Sequence, residues 1–243
     1  MNALKIFDEK ATILPFITKN KKLLDIILAI YCCLVMPIVS AIIATRGEER
    51  AIYKSLSYLA YTEGHIAIVY IWGLCFFVGY FFALTLILSF GKYSKIWKII
   101  LFSLAAISTI VMIVGISVPW LHVEGDLAPK YDRLRKIHNN VSMIGFILVF
   151  VTTLVLFVTT FFRNINQGIF SICSIGYLLV TALVSMFESN IVPGPCKISS
   201  IAQIYIFSSI LFLMFIQYIF MNTIQYNKTR AVKNAMNPKS WTK

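Results

Sequence analysis

The sequence predicts an all-α fold: a polytopic membrane protein built as a bundle of six transmembrane helices, with both termini cytoplasmic. Three observations predict it: six long apolar stretches, basic residues gathered in every second connection, and two tryptophans one membrane thickness apart. The chain of 243 residues is 59% hydrophobic and 13% charged, so its polar pieces are too short to form a separate soluble domain.

Each apolar stretch is long enough to cross a bilayer as a helix, because about 20 residues at ~1.5 Å each cover the ~30 Å hydrocarbon core. Lipid offers no partners for backbone N–H and C=O groups, so a spanning stretch must be helical. The stretches divide the chain into a basic N-terminal segment (1–22), a transmembrane domain (23–222) and a basic C-terminal tail (223–243). The six predicted spans are Leu23–Thr45, His65–Phe90, Ile96–Val118, Val141–Phe162, Ile169–Phe187 and Ile201–Met221.

The basic residues predict which helix ends face the cytoplasm. With the amino terminus inside, the inner segments hold 14 of the 22 Lys and Arg residues but only three of the 10 Asp and Glu residues. The outer segments hold the other eight basic residues together with seven acidic ones. Because Lys and Arg are retained on the cytoplasmic side, both termini are expected there. We expect the inner charge to bind anionic lipid headgroups and not nucleic acid, since no basic stretch is interleaved with base-stacking aromatics.

Single residues support individual spans. Trp97 and Trp120 lie at the two ends of the third span, about 35 Å apart along a helix, as expected for side chains in the two interfaces. Pro37 removes a backbone donor from the first span and is expected to kink it. Gly79 and Ala83 place two small residues one turn apart on the second span, a pattern that favours close helix contact.

The middle of every predicted span lacks Asp, Glu, Lys, Arg and His. Proton relays and ion-coupled carriers place an ionisable group at mid-depth, so this absence argues against a proton pump or a charge-coupled transporter. Polar residues of the last two spans would line a path for a neutral solute, although such residues more often bond across helices or to their own carbonyls. They are Ser171, Ser174, Thr181, Ser185, Gln203 and Gln217.

Groups able to support chemistry gather at the outer ends of the predicted spans. The segment Pro119–Asn140 is the richest, and from Pro129 onward it is expected to form an interfacial helix leading into the fourth span. The candidate functional residues on this face are His65, His122, His138, Glu188, Glu63, Glu124, Asp126 and Asn139.

Three interpretations of these residues stay open. In the first, His65, His138 and Glu188 are interfacial caps that satisfy helix ends and loop carbonyls. In the second, the three histidines with Glu188 or Asp126 bind a metal ion, since imidazole and carboxylate are suitable ligands, although the histidines lack a recognised metal spacing. In the third, His65 and His138 are the axial ligands of a haem. The sequence contains no recognisable Ser/His/Asp, phosphate-loop or paired-carboxylate motif.

Two segments resemble a known family. Glu63–Tyr80 reads EGHIAIVYIWGLCFFVGY, and Ile137–Phe146 reads IHNNVSMIGF. The first, a histidine followed by small residues and Phe, resembles the second span of the DRAM/Frag/Sfk group of six-helix membrane proteins. The second is similar to a His-Asn-plus-small-residue pattern that opens a helix in the same broad set and in related uncharacterised bacterial proteins. The first outer loop, Arg46–Ser55, departs from the Pro-rich acidic loop of the group's animal members. The resemblance implies a non-enzymatic membrane protein that acts on or with lipids or regulates a membrane partner.

We therefore expect a lipid-associated or regulatory protein of the plasma membrane, without catalysis, whose partners are membrane lipids and a membrane protein. A small-molecule transporter is the alternative, and an enzyme using metal or haem at an outer-face site comes third. A transporter predicts a polar cavity at mid-depth lined by residues such as Gln203 or Ser185. A regulatory bundle predicts a packed centre with small residues such as Gly79 at helix contacts.

Overall fold

A computed structural model describes residues 20–45, 55–91, 93–120, 128–162, 165–191 and 200–235, and these residues form helices joined by short connections. One helical segment, Tyr31–Val35, is a π-helix that links the first two α-helices. The α-helices are α1 (Lys21–Ile30), α2 (Met36–Ala44), α3 (Leu56–Tyr61), α4 (Ile66–Phe90), α5 (Lys95–Ser117), α6 (Ala128–Phe161), α7 (Ile165–Ile191) and α8 (Ser200–Ala235).

The described residues contain five helical segments long and apolar enough to cross a membrane, which makes the chain an integral, multi-pass helical membrane protein. The predicted fifth span, Ile169–Phe187, lies on α7, whose described apolar part is the shorter segment Gly168–Thr181. A sixth crossing and the cytoplasmic position of the termini therefore stay predictions. The five spans are Lys21–Ala44, Ile66–Phe90, Lys95–Ser117, Lys130–Phe161 and Ser200–Thr223.

Large apolar side chains cover the outside of the bundle, as a lipid environment requires. Leu74 on α4 is 66% exposed and Ile96 on α5 is 69% exposed. The central helices are α4 and α8, which pack against each other, while α1, α2 and α5 expose more of their surface. The end of the bundle that holds Ala44, Ile66, Ser117 and Ser200 is called the outer end below, after the predicted orientation.

The first span is interrupted where the sequence predicts a kink. Pro37 lies in the first turn of α2 and cannot donate a backbone hydrogen bond to the preceding turn. The π-helical segment Tyr31–Val35 comes directly before it and absorbs the irregularity. The Tyr31 hydroxyl in this segment donates to the Cys75 carbonyl of α4 at 2.5 Å, which ties the irregular turn to the central helix.

Three glycines allow close helix contact, and at each a Cβ would overlap a neighbour. A Cβ at Gly79 would lie 2.5 Å from the Tyr31 ring and 3.0 Å from Leu211, which confirms the predicted contact role of this residue. Gly115 of α5 approaches Ser142 of α6, where a Cβ would lie 2.8 Å from the backbone nitrogen. Gly145 of α6 in turn approaches the backbone nitrogen of Met112 at 2.9 Å, so α5 and α6 approach at two adjacent points.

Candidate functional site: a cavity at the outer end

A cavity of about 150 Å³ lies at the outer end between α3, α4, α5, α6 and α8. We call it the outer cavity. Its wall is mostly apolar and is formed by side chains that include Val69, Trp72, Met112, Phe146, Ile206 and Phe207. Its polar lining consists of Ser55, Ser57, His138, Asn139, Ser142 and Gln203, together with the polar tips of Tyr61 and Trp120.

His138 is the central polar group of this cavity. The side chain is 2% exposed, and both of its ring nitrogens are hydrogen-bonded. Nδ1 lies 2.7 Å from the carbonyl oxygen of Val118, the residue that ends α5. Because a carbonyl only accepts, Nδ1 carries a proton and donates it. In the neutral ring Nε2 is then an acceptor, and the Ser57 hydroxyl, 2.6 Å away, donates to it.

Ser57 is held in place by the capping of the short helix α3. The Ser55 side chain accepts a hydrogen bond from the backbone N–H of Tyr58 at 3.2 Å, as an N-cap serine does. The Leu56 N–H donates to Oε1 of Gln203 on α8 at 3.1 Å. After α3 the chain turns through Gly64, whose φ of 77° suits a glycine, and α4 begins.

Tyr61, at the end of α3, packs against the same imidazole. Its ring meets the His138 ring edge-on, with centroids 6.2 Å apart, and its hydroxyl donates to the Ile116 carbonyl of α5. Burial raises the pKa of the Tyr61 phenol to about 12, and the neighbouring Tyr70 phenol adds to this effect. The hydroxyl therefore stays protonated at neutral pH and keeps its bond to the carbonyl.

Asn139 and Trp120 form a second polar pair at the cavity. The Trp120 indole N–H donates to Oδ1 of Asn139 at 3.2 Å, and the indole is 2% exposed. The Tyr58 ring contacts the indole edge-on at 5.9 Å. The predicted interfacial tryptophan is therefore buried, and it links the end of α5 to α6.

An aromatic cluster closes the cavity toward the middle of the bundle. Phe207 of α8 meets Phe76 at 4.7 Å, Trp72 at 5.5 Å and Phe146 at 5.6 Å between ring centroids, all close to perpendicular. Trp72 is fixed by a hydrogen bond of 3.0 Å from its indole N–H to the Ser40 hydroxyl on α2. Aromatic rings of α4, α6 and α8 thus meet at the floor of the cavity, and Ser40 of α2 joins them through Trp72.

Changing Ser40 to Ala tests how this floor is held. The indole N–H of Trp72 would lose its acceptor, and an unpaired buried donor costs about 1–3 kcal/mol. We expect the midpoint of thermal unfolding in detergent to fall, with a blue shift of the tryptophan fluorescence. Ser103→Ala, at an exposed position of α5, is the control. An unchanged midpoint in Ser40→Ala would show that this bond does not hold the floor.

The structure brings only part of the predicted residue set together. His138 and Asn139 line the cavity, whereas His65, at the N-cap of α4, and Glu63, in the turn before it, do not. His122, Glu124 and Asp126 lie outside the described residues, as does the side chain of Glu188 on α7. In the part of the chain that the structure describes, no three His, Cys, Asp or Glu side chains group as metal ligands would. Both ring nitrogens of His138 are hydrogen-bonded, to Ser57 and to Val118, so the ring would have to give up one of these bonds to bind an iron or zinc ion.

The predicted polar path divides into separate groups. Gln203 lines the outer cavity, and Thr181 bonds the Tyr177 carbonyl of its own helix at 2.7 Å. Ser171, Ser174 and Gln217 are fully buried, and their side-chain polar atoms have no hydrogen-bond partner among the described residues. The side chain of Ser185 lies outside the described residues. Of the predicted path residues, Gln203 is thus the one placed in the outer cavity by the part of the chain that the structure describes.

The sequence did not indicate Ser57, the side-chain hydrogen-bond partner of His138. Ser57 lies 81 residues before His138 in the chain, and neither residue is part of a sequence motif that predicts contact with the other. The only local signal is the Ser55 cap that starts α3. No protein-family model, curated protein or solved structure matches the chain.

Proposed function

We propose that this protein binds a neutral lipid or other uncharged amphiphile in the outer cavity, with the apolar tail against the floor and the polar head at His138, Ser57 and Asn139. The observation that carries the proposal is the mixed lining of the cavity: an apolar floor around Phe207, and polar side chains that include Ser57, His138 and Asn139, called the rim below. Ligand sites in proteins combine these two features, a mostly apolar lining and a few placed polar groups.

The size and the walls of the cavity suit part of a hydrocarbon chain. An apolar protein cavity of about 150 Å³ stays dry and takes up a molecule the size of benzene. The outer cavity has this volume, and Val69, Phe146 and Phe207 contribute apolar wall. Burying an apolar chain there removes it from water or replaces lipid contacts with close packing.

The rim favours an uncharged head. Its polar groups are hydroxyls, carboxamides, an indole and an imidazole, which hydrogen-bond alcohols, esters and amides. A phosphate or carboxylate head would instead need a cationic side chain to offset its desolvation. Neutral glycerolipids, sterols and fatty alcohols therefore fit this rim better than anionic phospholipids do.

The wider setting is part of the same proposal. With six spans and both termini in the cytoplasm, the cavity opens in the outer half of the plasma membrane, and the basic inner segments contact anionic headgroups. The resemblance to the DRAM/Frag/Sfk group supports a lipid-related role, because its two segments, Glu63–Tyr80 and Ile137–Phe146, both contribute cavity residues. Regulation of a membrane partner would follow from lipid-dependent packing at this end.

Transport is the second candidate, and it is favoured by Ser171, Ser174 and Gln217, whose buried polar atoms have no hydrogen-bond partner among the residues that the structure describes. A polar group buried without a partner costs several kcal/mol in lipid, which a passing solute or water would offset. Against this, the aromatic cluster around Phe207 stands between the cavity and the middle of the bundle. The closed floor therefore favours binding of a ligand in the cavity over passage of a solute through the bundle.

Photocrosslinking tests the binding proposal. Protein in phosphatidylcholine nanodiscs is exposed to a monoacylglycerol with a diazirine in its acyl chain, and crosslinked peptides are mapped by mass spectrometry. We expect adducts on cavity residues such as Met112, Phe146 or Phe207, with competition by unlabelled monoacylglycerol. Lysophosphatidic acid with the same acyl chain serves as the anionic competitor. We expect it to compete with the photoreactive monoacylglycerol at least 10-fold less well than unlabelled monoacylglycerol does.

Two matched variants control for adventitious labelling. Val69→Phe fills the cavity, because Val69 lies in its wall and is buried, and should abolish the cavity adducts. Ile71→Phe adds the same ring to the same helix at a position that is 55% exposed, and should leave them unchanged. Equal labelling of both variants, or adducts only on lipid-facing residues, would contradict the proposal.

A further inference from the structure

The Ser57 hydroxyl and the His138 imidazole have the relative position of a nucleophile and its general base. Oγ and Nε2 are 2.6 Å apart, within the usual range for such a pair. The bond from Nδ1 to the Val118 carbonyl, at 2.7 Å, fixes the ring so that Nε2 keeps its lone pair toward the hydroxyl. A third group thus orients the base, as the carboxylate does in a Ser-His-Asp triad.

We propose that Ser57 and His138 hydrolyse a carboxylic ester of a neutral lipid, such as a monoacylglycerol, held in the outer cavity. The proposal rests on the binding function above, because the cavity must hold the part of the acyl chain that lies next to the ester. Both groups line the cavity at its polar rim, next to the apolar wall that the chain would occupy. The ester bond, between chain and head, would then lie beside the Ser57 hydroxyl.

The reaction is an acyl transfer to serine followed by transfer to water. Ser57 Oγ attacks the ester carbonyl carbon while its proton passes to His138 Nε2. When the tetrahedral intermediate collapses, the C–O bond to the alcohol breaks, and the alcohol leaves with the proton from Nε2. Water then attacks the acyl carbon with His138 as base, the bond to Oγ breaks, and Oγ regains its proton as the fatty acid leaves.

Two further groups are placed to stabilise the developing oxyanion. Ser142 lies one helical turn after His138 on the same face of α6, and it also lines the cavity. Its hydroxyl is buried and has no hydrogen-bond partner in the described part of the chain, so it can donate to a substrate oxygen. The Oδ1 atom of Asn139 accepts the hydrogen bond from Trp120. The NH₂ group of the same carboxamide is therefore the part that can donate to the oxyanion.

The orienting group predicts a slow enzyme. A backbone carbonyl holds the imidazole in position, but it carries no full charge and stabilises the imidazolium less than a carboxylate would. We therefore expect turnover well below that of a hydrolase with a complete triad. A covalent probe that reports a single event is for this reason a more sensitive readout than turnover alone.

A fluorophosphonate probe, which phosphonylates activated serines, tests the pair. The full-length protein in phosphatidylcholine nanodiscs is incubated with a fluorophosphonate carrying an alkyl chain, and the adduct is located by mass spectrometry. We expect it on Ser57, with labelling slowed by monooleoylglycerol. We also expect release of oleate from monooleoylglycerol, lowered at least 100-fold in Ser57→Ala. Ser103→Ala, at an exposed position of α5, should match the wild type.

The base is tested separately by His138→Asn, which places an amide N–H where Nδ1 stands but removes Nε2. This variant can keep the bond to Val118, so its thermal midpoint should stay close to that of Ser57→Ala while its labelling rate falls at least 100-fold. If the wild type shows no Ser57 adduct but keeps the photocrosslinks that Val69→Phe abolishes, the binding function stands and the catalytic proposal is overturned. If the wild type shows no such photocrosslinks either, both the binding function and the catalytic proposal are overturned.

Discussion

His138→Ala is expected to lower the free energy of unfolding by about 3 kcal/mol or more. The change removes the partner of the Val118 carbonyl and of the Ser57 hydroxyl together, and each unpaired polar group costs about 1–3 kcal/mol. It also removes the ring that Tyr61 packs against. Titration with sodium dodecyl sulfate in mixed micelles, followed by circular dichroism, measures the difference.

Three companion variants separate the parts of this effect. His138→Asn retains a donor for Val118, and His138→Gln retains an acceptor for Ser57, so each should recover part of the loss. Asn140→Ala, two residues further along and exposed, should change the free energy by less than about 0.5 kcal/mol. If His138→Ala and Asn140→Ala unfold alike, the two hydrogen bonds of the imidazole do not hold this end of the bundle together.

Gly115→Ala should also be strongly destabilising, although alanine is the better helix former. The added Cβ would lie 2.6 Å from Ser142 Oγ, 2.8 Å from the Ser142 nitrogen and 3.0 Å from its Cα. Because two of these atoms belong to the backbone, α5 and α6 must move apart instead of rotating a side chain. Overpacking of this kind costs about 1–3 kcal/mol, and the same detergent titration would measure it.

The chain supplies matched controls for this prediction. A Cβ added at Gly73 or at Gly176 would have nothing within 4 Å. Gly73→Ala and Gly176→Ala should therefore be neutral or slightly stabilising, because they add helix propensity without a clash. Equal destabilisation by all three changes would show that the close approach of α5 to α6 is not what Gly115 provides.

Hydropathy predicted the five long apolar helices of the described residues well, because the membrane imposes their length and helicity. The second and third predicted spans, His65–Phe90 and Ile96–Val118, differ by at most one residue at either end from α4 and α5. The helices that contain the fourth and sixth predicted spans extend beyond them, since α6 begins at Ala128 and α8 continues to Ala235. Hydropathy detects where a helix leaves the lipid and does not detect where the helix itself ends. The interfacial helix expected from Pro129 onward is continuous with the fourth span, and both belong to α6.

The candidate site was less predictable, for a physical reason. Polar residues at helix ends are readily recognised as interfacial, which is how His138 and Asn139 were singled out. Their partners depend on how α3 folds over the ends of α5 and α6, and a pair 81 residues apart has no periodicity to reveal it. Ser57 was missed for that reason, and His65 was included because its place at a helix start looks the same in sequence.

Native mass spectrometry of the purified protein tests the central claim, occupation of the outer cavity by an uncharged amphiphile, most directly. We predict that the wild type and Ile71→Phe, released from detergent, retain an added mass identified by fragmentation as a neutral lipid, and that Val69→Phe appears without it. A wild type that carries only anionic phospholipid, or a neutral lipid retained equally by Val69→Phe, would contradict the account.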